Sequence, residues 1–243
     1  MIGPIKKYIE HLNFSNQDYE IEFKFINILH SIKKAVEDQI EYYCSIDKPD
    51  IPSLFAASAA YFRLKNTFKA VILCIRSDLY FETLALIRMI IEQLAWIYKV
   101  HDYQGDFFKI LPTKCINSLR NIFPHINEIY GKLSARTHIN LENTIEYLTI
   151  YENNLGIRIK DKKQSINNTK ILLHVHDYIC IIGEYIVRSY TKNYIYLKKD
   201  ENDNYKINTS RPSNDFIKRH KDELDEIEKY LLEKIEKKPK VSP

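Results

Sequence analysis

The chain has 243 residues, 45% of them hydrophobic and 28% charged, with a net charge of +4 and only 5 Gly and 8 Pro. That apolar content excludes a disordered chain, and the scarcity of Gly and Pro argues against a loop-rich all-β fold. A charge of +4 does not by itself imply a nucleic-acid surface, which needs a local basic patch.

The opening M-I-G-P-I-K-K-Y-I-E lacks the uninterrupted apolar core of a signal peptide. The most hydrophobic stretch, 70–100, is broken by Arg76, Asp78, Glu82, Arg88 and Glu92, so no membrane span is expected. Cys44, Cys74, Cys115 and Cys180 are far apart and form no C-x-x-C pair, which fits reduced, mostly buried thiols in a cytoplasm.

Residues 5–12 suggest a short first helix. Ser15, Asn16, Gln17 and Asp18 offer a cap for a long amphipathic helix over 19–43, where Phe25, Ile28, Leu29, Ile32, Ala35 and Val36 recur at three- and four-residue spacing. The turn K-P-D-I-P-S at 48–53 stops it, and Pro52 or Ser53 opens the next helix. Residues 53–76 are alanine-rich and apolar on most sides, which predicts a helix buried by several neighbours. Ser77 and Asp78 either cap a fresh helix over 79–98 or are passed by a continuous one, and the sequence leaves both open.

H-D-Y-Q-G at 101–105 reads as a turn. Leu111-Pro112-Thr113 begins a short helix to about Phe123, and Pro124 breaks it and starts the helix carrying Tyr130 and His138. Asn140 and Asn143 are placed to end that helix and open another to Tyr151. Residues 152–165 form a polar, basic loop with room for a short hairpin. A long helix is expected over 167–196, with its apolar core at 171–187. A polar connection spans 198–215, and a last helix over 216–235 aligns Ile217, Leu224, Ile227, Leu231 and Ile235. The expected fold is an all-α antiparallel helical bundle over 1–197, a linker at 198–215, and an amphipathic C-terminal helix with a basic tail over 216–243.

Two stretches carry the chemistry. In E-T-L-A-L-I-R-M-I-I-E (82–92) the charges sit inside an apolar helix, where burial is costly unless they are paired. Arg88 and Glu92 share a face at i,i+4 with Ala85 and Ala95, and the order Arg then Glu is the weaker one for a purely local pair. The couple reads as a buried structural pair, a functional site or an exposed pair. In Y-G-K-L-S-A-R-T-H (130–138), Tyr130, Ser134, Thr137 and His138 fall on one side of a helix. Tyr130, Ser134 and His138 can form a ladder of donors and acceptors there, with Glu92 orienting the imidazole.

Together the pattern E-x5-R-x3-E (Glu82, Arg88, Glu92) and the pattern Y-x2-L-S-x3-H (Tyr130, Leu133, Ser134, His138) resemble the HEPN superfamily, most of all an uncharacterised bacterial branch with the L-S-x3-H signature. The resemblance covers about 53–150. It implies an all-α bundle, frequent homodimerisation, and service in toxin–antitoxin, stress or anti-phage systems beside an antitoxin or other partner protein. Many members are metal-independent ribonucleases, needing no cofactor, in which an arginine steadies the scissile phosphate of RNA. A histidine separated from that arginine by four to six residues moves a proton as the ribose 2′-OH attacks.

Here the positions before His138 hold Gly131, Lys132 and Leu133 instead of that arginine, and Arg136 sits two residues before it on another face. Lys132 lacks arginine's planar fork. A literal R-N-x3-H occurs at Arg120, Asn121 and His125, but Pro124 lies inside it and disfavours helix at Phe123. His138, Arg88, Glu92 and Arg136 are therefore the candidate catalytic residues, with Tyr130, Ser134 and Glu82 in support, and Arg120, Asn121 and His125 the alternative.

A non-catalytic interaction module of the same superfamily competes with the nuclease. A metal oxidase lacks its E-x-x-H pairs, and His174-x-His176 splits its two imidazoles onto different helix faces. Neither a bound metal nor a membrane partner is expected.

Overall fold

A computed structural model describes residues 16–138, 148–151, 154–157, 162–202 and 204–236. The expected helix at 5–12, Asn140, Asn143 and the basic tail at 237–240 lie outside the described residues. Six helices carry the fold: α1 (Asn16–Ser45), α2 (Pro52–Arg76), α3 (Tyr80–Val100), α4 (Ile126–Thr137), α5 (Lys162–Val187) and α6 (Pro212–Glu236). Two 3-10 segments, Phe107–Lys109 and Pro112–Asn121, join α3 to α4. Two antiparallel hairpins flank α5: β1 (Leu148–Tyr151) with β2 (Asn154–Ile157), and β3 (Leu197–Lys199) with β4 (Tyr205–Ile207). No described helix is long and apolar enough to cross a membrane.

The all-α bundle follows from the apolar stripes. Phe25, Ile28, Leu29, Ile32, Val36, Ile40 and Tyr43 of α1 are buried at the three- and four-residue spacing that keeps one face inward. The helix covered on all sides is α5, where the consecutive residues Ile179, Cys180, Ile181 and Ile182 are all buried and α1, α2, α3 and α6 pack around it. The expectation placed that role on 53–76. Instead α2 leaves Phe55, Phe62 and Leu73 exposed along its outer side.

Whether α2 continues into α3 is decided at Asp78. Its φ of 56° is left-handed. Its N–H bonds the carbonyl of Ile75 at 3.0 Å, and the Leu79 N–H reaches Cys74 at 2.9 Å. That paired closure is the Schellman stop, in which Asp is tolerated where Gly is usual. The chain then turns back, and α3 packs along α2.

Several expected boundaries move for tertiary reasons. The segment after Pro112 is a 3-10 helix ending at Asn121 rather than an α-helix to Phe123. The helix expected to reach Tyr151 gives way to β1, whose Thr149, Ile150 and Tyr151 suit a strand. Helix α5 stops at Val187 instead of Tyr196, because the chain beyond it folds back onto α5 itself. The carboxylate of Glu184, 1% exposed, accepts the backbone N–H groups of Ile195 (2.9 Å), Tyr196 (3.0 Å) and Leu197 (2.8 Å), and the Tyr43 hydroxyl at 3.2 Å.

Gly183 makes room for this latch, since a Cβ there would strike the Tyr61 hydroxyl and the Tyr43 ring. The Tyr61 hydroxyl donates to the carbonyl of Ile179 at 2.8 Å. Residues 198–215, expected as a polar connection, hold the β3–β4 hairpin and the start of α6. Arg211 grips buried Asp177 with two bonds of 2.7 Å, and Ser213 donates to the same carboxylate. That places Asp177 at the N-terminal turn of α6, where a negative charge is favoured, and Leu224 and Ile227 of α6 are fully buried.

Replacing Glu184 by Leu orphans three amides and a phenol together. The expected cost is more than about 3 kcal/mol in chemical denaturation. Hydrogen exchange at 195–197 should accelerate first in the milder Glu184→Gln variant, and unchanged exchange there would contradict the latch.

Candidate functional site

The sequence candidates meet where α4 crosses α3. Arg88 and Glu92 occupy successive turns of the face that α3 turns to α4, and their Nε and Oε1 atoms lie 3.4 Å apart. Each reaches across to α4. The Tyr130 hydroxyl donates to Glu92 Oε1 at 2.7 Å, and Arg88 Nη1 donates to Thr137 Oγ1 at 3.0 Å. Thr137 Oγ1 donates in turn to the Ser134 carbonyl at 3.1 Å. The couple is half-buried, with 28% of the Arg88 side chain and 15% of Glu92 exposed, so it is neither sealed in the core nor a surface pair. Burial, then the bond to Glu92 and its charge, push the Tyr130 phenol up to about 12, which keeps it a donor at neutral pH.

His138 departs from the expected ladder. Helix α4 ends at Thr137, and His138, at φ −82° and ψ 131°, is the first extended residue after it. Its N–H still bonds the Ser134 carbonyl at 3.2 Å, and its Nε2 lies 3.3 Å from Ser134 Oγ. The imidazole is exposed. Its position therefore follows from the helix end, and that end is held by the Arg88–Thr137 bond.

The remaining candidates separate. Arg136 turns its Nη1 to the Tyr80 hydroxyl at 3.2 Å, beside the network and outside it. Lys132 pairs with Glu128 on the exposed side of α4. Glu82 is exposed in the first turn of α3, where its charge acts on Cys74. It stands about 9 Å along the helix axis from Arg88.

Arg120 and Asn121 end the 3-10 segment, and His125 takes the N-cap position of α4. No continuous helix presents all three. Arg120 and Asn121 line a polar hollow of about 320 Å³ with Asn117 and Pro124. His125 and His138 sit at opposite ends of α4, about 20 Å apart along its axis.

His174 is exposed and His176 buried, as i,i+2 spacing requires. Among the described residues no group of three His, Cys, Asp or Glu side chains is arranged to hold a metal ion.

A second polar system escaped the sequence reading. His176 packs against Phe216, has its Nε2 at 3.4 Å from Cys180 Sγ, and leaves its buried Nδ1 without a bond. Burial pushes this imidazole down to about 4, against the opposing pull of Asp177 and with a smaller push from His220. Burial likewise pushes the Cys180 thiol up.

At the end of α3, His101 Nδ1 must donate to the Tyr98 carbonyl at 2.7 Å, so its Nε2 accepts from Arg188 Nη1 at 2.8 Å. The Arg188 guanidinium stacks on the Tyr185 ring at 3.9 Å. Burial, then the Arg188 charge, hold His101 below the usual imidazole range despite Asp102. The signal that finds Arg88 also finds Asp177 and Glu184, which are charges inside an apolar helical run. Arg188 and His101 needed the fold, because they lie 87 residues apart.

The lowered His176 sets a pH dependence. The unfolded imidazole binds protons below its ordinary value near 6.5, while the folded one resists until about pH 4. Its share of stability is therefore complete above pH 6.5 and is lost as pH falls toward 4, by about 3 kcal/mol in all. Denaturant titrations of His176→Gln should show a shallower loss across that window, and an unaltered slope would contradict the assignment. On the α3–α4 face, Glu92→Ala should cost about 1–3 kcal/mol by stranding the Tyr130 phenol and the Arg88 guanidinium. Tyr130→Phe in the Glu92→Ala background should then add almost nothing, which a double-mutant cycle measures.

No family model matches the chain, and neither a curated protein nor a solved structure shows detectable similarity to it.

Proposed function

We propose that the face formed by the C-terminal end of α4 and the adjoining side of α3 binds and cleaves RNA without a metal ion, in the manner of the HEPN-like nucleases the sequence resembles. Such a protein serves as a toxin or effector in a toxin–antitoxin, stress or anti-phage system. One observation carries the reading: an exposed imidazole, His138, stands next to Ser134 on a helix end that a half-buried charge network holds in place.

In this reading His138 takes the proton of the ribose 2′-OH as that oxygen attacks phosphorus. The 5′-oxygen leaves and a 2′,3′-cyclic phosphate remains. Arg136 keeps N–H donors beyond the one on Tyr80 for a phosphate oxygen. Arg88, Glu92, Tyr130 and Thr137 act as positioning residues, and the leaving oxygen takes its proton from the His138 of a second copy.

A second reading has its own support. Arg88 and Glu92 are paired with each other and with Thr137 and Tyr130 inside the chain, as a structural network in a non-catalytic interaction module would be, although the buried Arg88 Nε makes no hydrogen bond. The experiment is incubation of end-labelled RNA with purified protein in the presence of a chelator. The nuclease reading expects cyclic-phosphate ends and a loss of at least about 100-fold in rate for His138→Ala. Cleavage of equal rate by both proteins removes His138 from the mechanism, and a wild-type protein that binds RNA or a partner without cutting favours the module.

A further inference from the structure

Farther along α3, about one turn past Glu92, lies a hollow of about 430 Å³ between α2, α3 and the 3-10 segment that starts at Pro112. Its floor is Ala56, Ala59 and Ala60 of α2, and Trp96 and Pro112 line it as apolar walls. The indole is fixed and spent as a donor, because its Nε1–H bonds the Ile110 carbonyl at 2.9 Å. The polar lining is Gln93, tied to Thr67 at 3.2 Å, and Arg63.

Arg63 is set apart by the charges around it. Helix α2 contains no acidic residue and four basic ones, Arg63, Lys65, Lys69 and Arg76. Lys65 pairs with Glu41 and Lys69 with Glu37. Among the described residues neither Arg63 nor Arg76 has an ion pair or a hydrogen bond, and of these two exposed cations Arg63 is the one that lines the hollow.

We propose that this hollow binds a small amphiphilic carboxylate, with a ring or short chain on the alanine floor and the Trp96 face, and its carboxylate on the Arg63 guanidinium. The volume is within the range of small-molecule sites, and two walls are already rigid, so little ordering opposes binding. A planar guanidinium matches a carboxylate with two parallel hydrogen bonds. One cation over an apolar floor suits a monoanion better than a phosphate, whose greater charge calls for more donors. The site uses none of the residues assigned to RNA cleavage and does not depend on that assignment.

Trp96 is the only tryptophan of the chain, so intrinsic indole fluorescence reports on this hollow directly. The probes are 4-phenylbutyrate and its uncharged counterpart 4-phenylbutan-1-ol, titrated into the full-length protein. The acid should produce a saturable change at a concentration at least about tenfold lower than the alcohol, a difference of about 1.4 kcal/mol. Arg63→Gln should erase the acid's advantage while leaving the alcohol's weak response. Ala59→Leu, at an exposed helical position, should block both, and circular dichroism verifies that each variant is folded. A wild-type protein with no saturable response up to the solubility of either probe overturns the proposal. So does equal binding of acid and alcohol, or an acid advantage that survives Arg63→Gln.

Discussion

A single buried carboxylate organises the C-terminal third of this protein. Glu184 sits on the most enclosed helix, and a charge there is tolerable only because three successive amides and a phenol converge on it. The requirement runs in both directions. Tyr196 and Leu197 are themselves buried, so their N–H groups need acceptors that a short edge hairpin does not supply. Gly183 is the steric condition for the arrangement, since it lets Tyr43 from α1 and Tyr61 from α2 close over α5 at this level.

Two turns earlier on α5 the same device recurs with a cation. Asp177 receives Arg211 and Ser213, and so sets where α6 begins. From there Leu224 and Ile227 complete the core, and Lys170 of α5 meets Asp225 and Glu228 on the rim. The contrast between the two α5 carboxylates is instructive. Asp177 is matched by opposite charge, Glu184 by oriented backbone dipoles, and each ties a different part of the C-terminal segment to the same helix.

The α3–α4 network works by similar physics at lower burial. Arg88 and Glu92 are only partly buried, so their pairing is screened and contributes less than a sealed pair would. Their consequence is mainly geometric. They hold the middle and the C-terminal end of a 12-residue helix that has just two buried residues, Ile126 and Leu133. So thin an apolar contact would leave the helix free to slide without these cross-links. The position of His138, and with it any chemistry at that face, is set by polar bonds more than by core packing.

The sequence alone determined that the chain is helical, where most helices run, and that Arg88 and Glu92 share a face able to meet Tyr130. Local information is enough for those conclusions, because apolar periodicity, a proline at a helix start and a charge in an apolar run act within a few residues. It could not determine that α2 stops at Asp78, since an Asp in the left-handed conformation is chosen by the packing of the next helix. Nor could it show that Arg211 and Ser213 are fixed, because those polar residues look solvated until Asp177 reaches them from another part of the chain. The pairing of Arg188 with His101 and the solitary Arg63 beside Trp96 were likewise decided by tertiary structure. Each depends on groups far apart in sequence, and only the folded chain brings them within reach of one another.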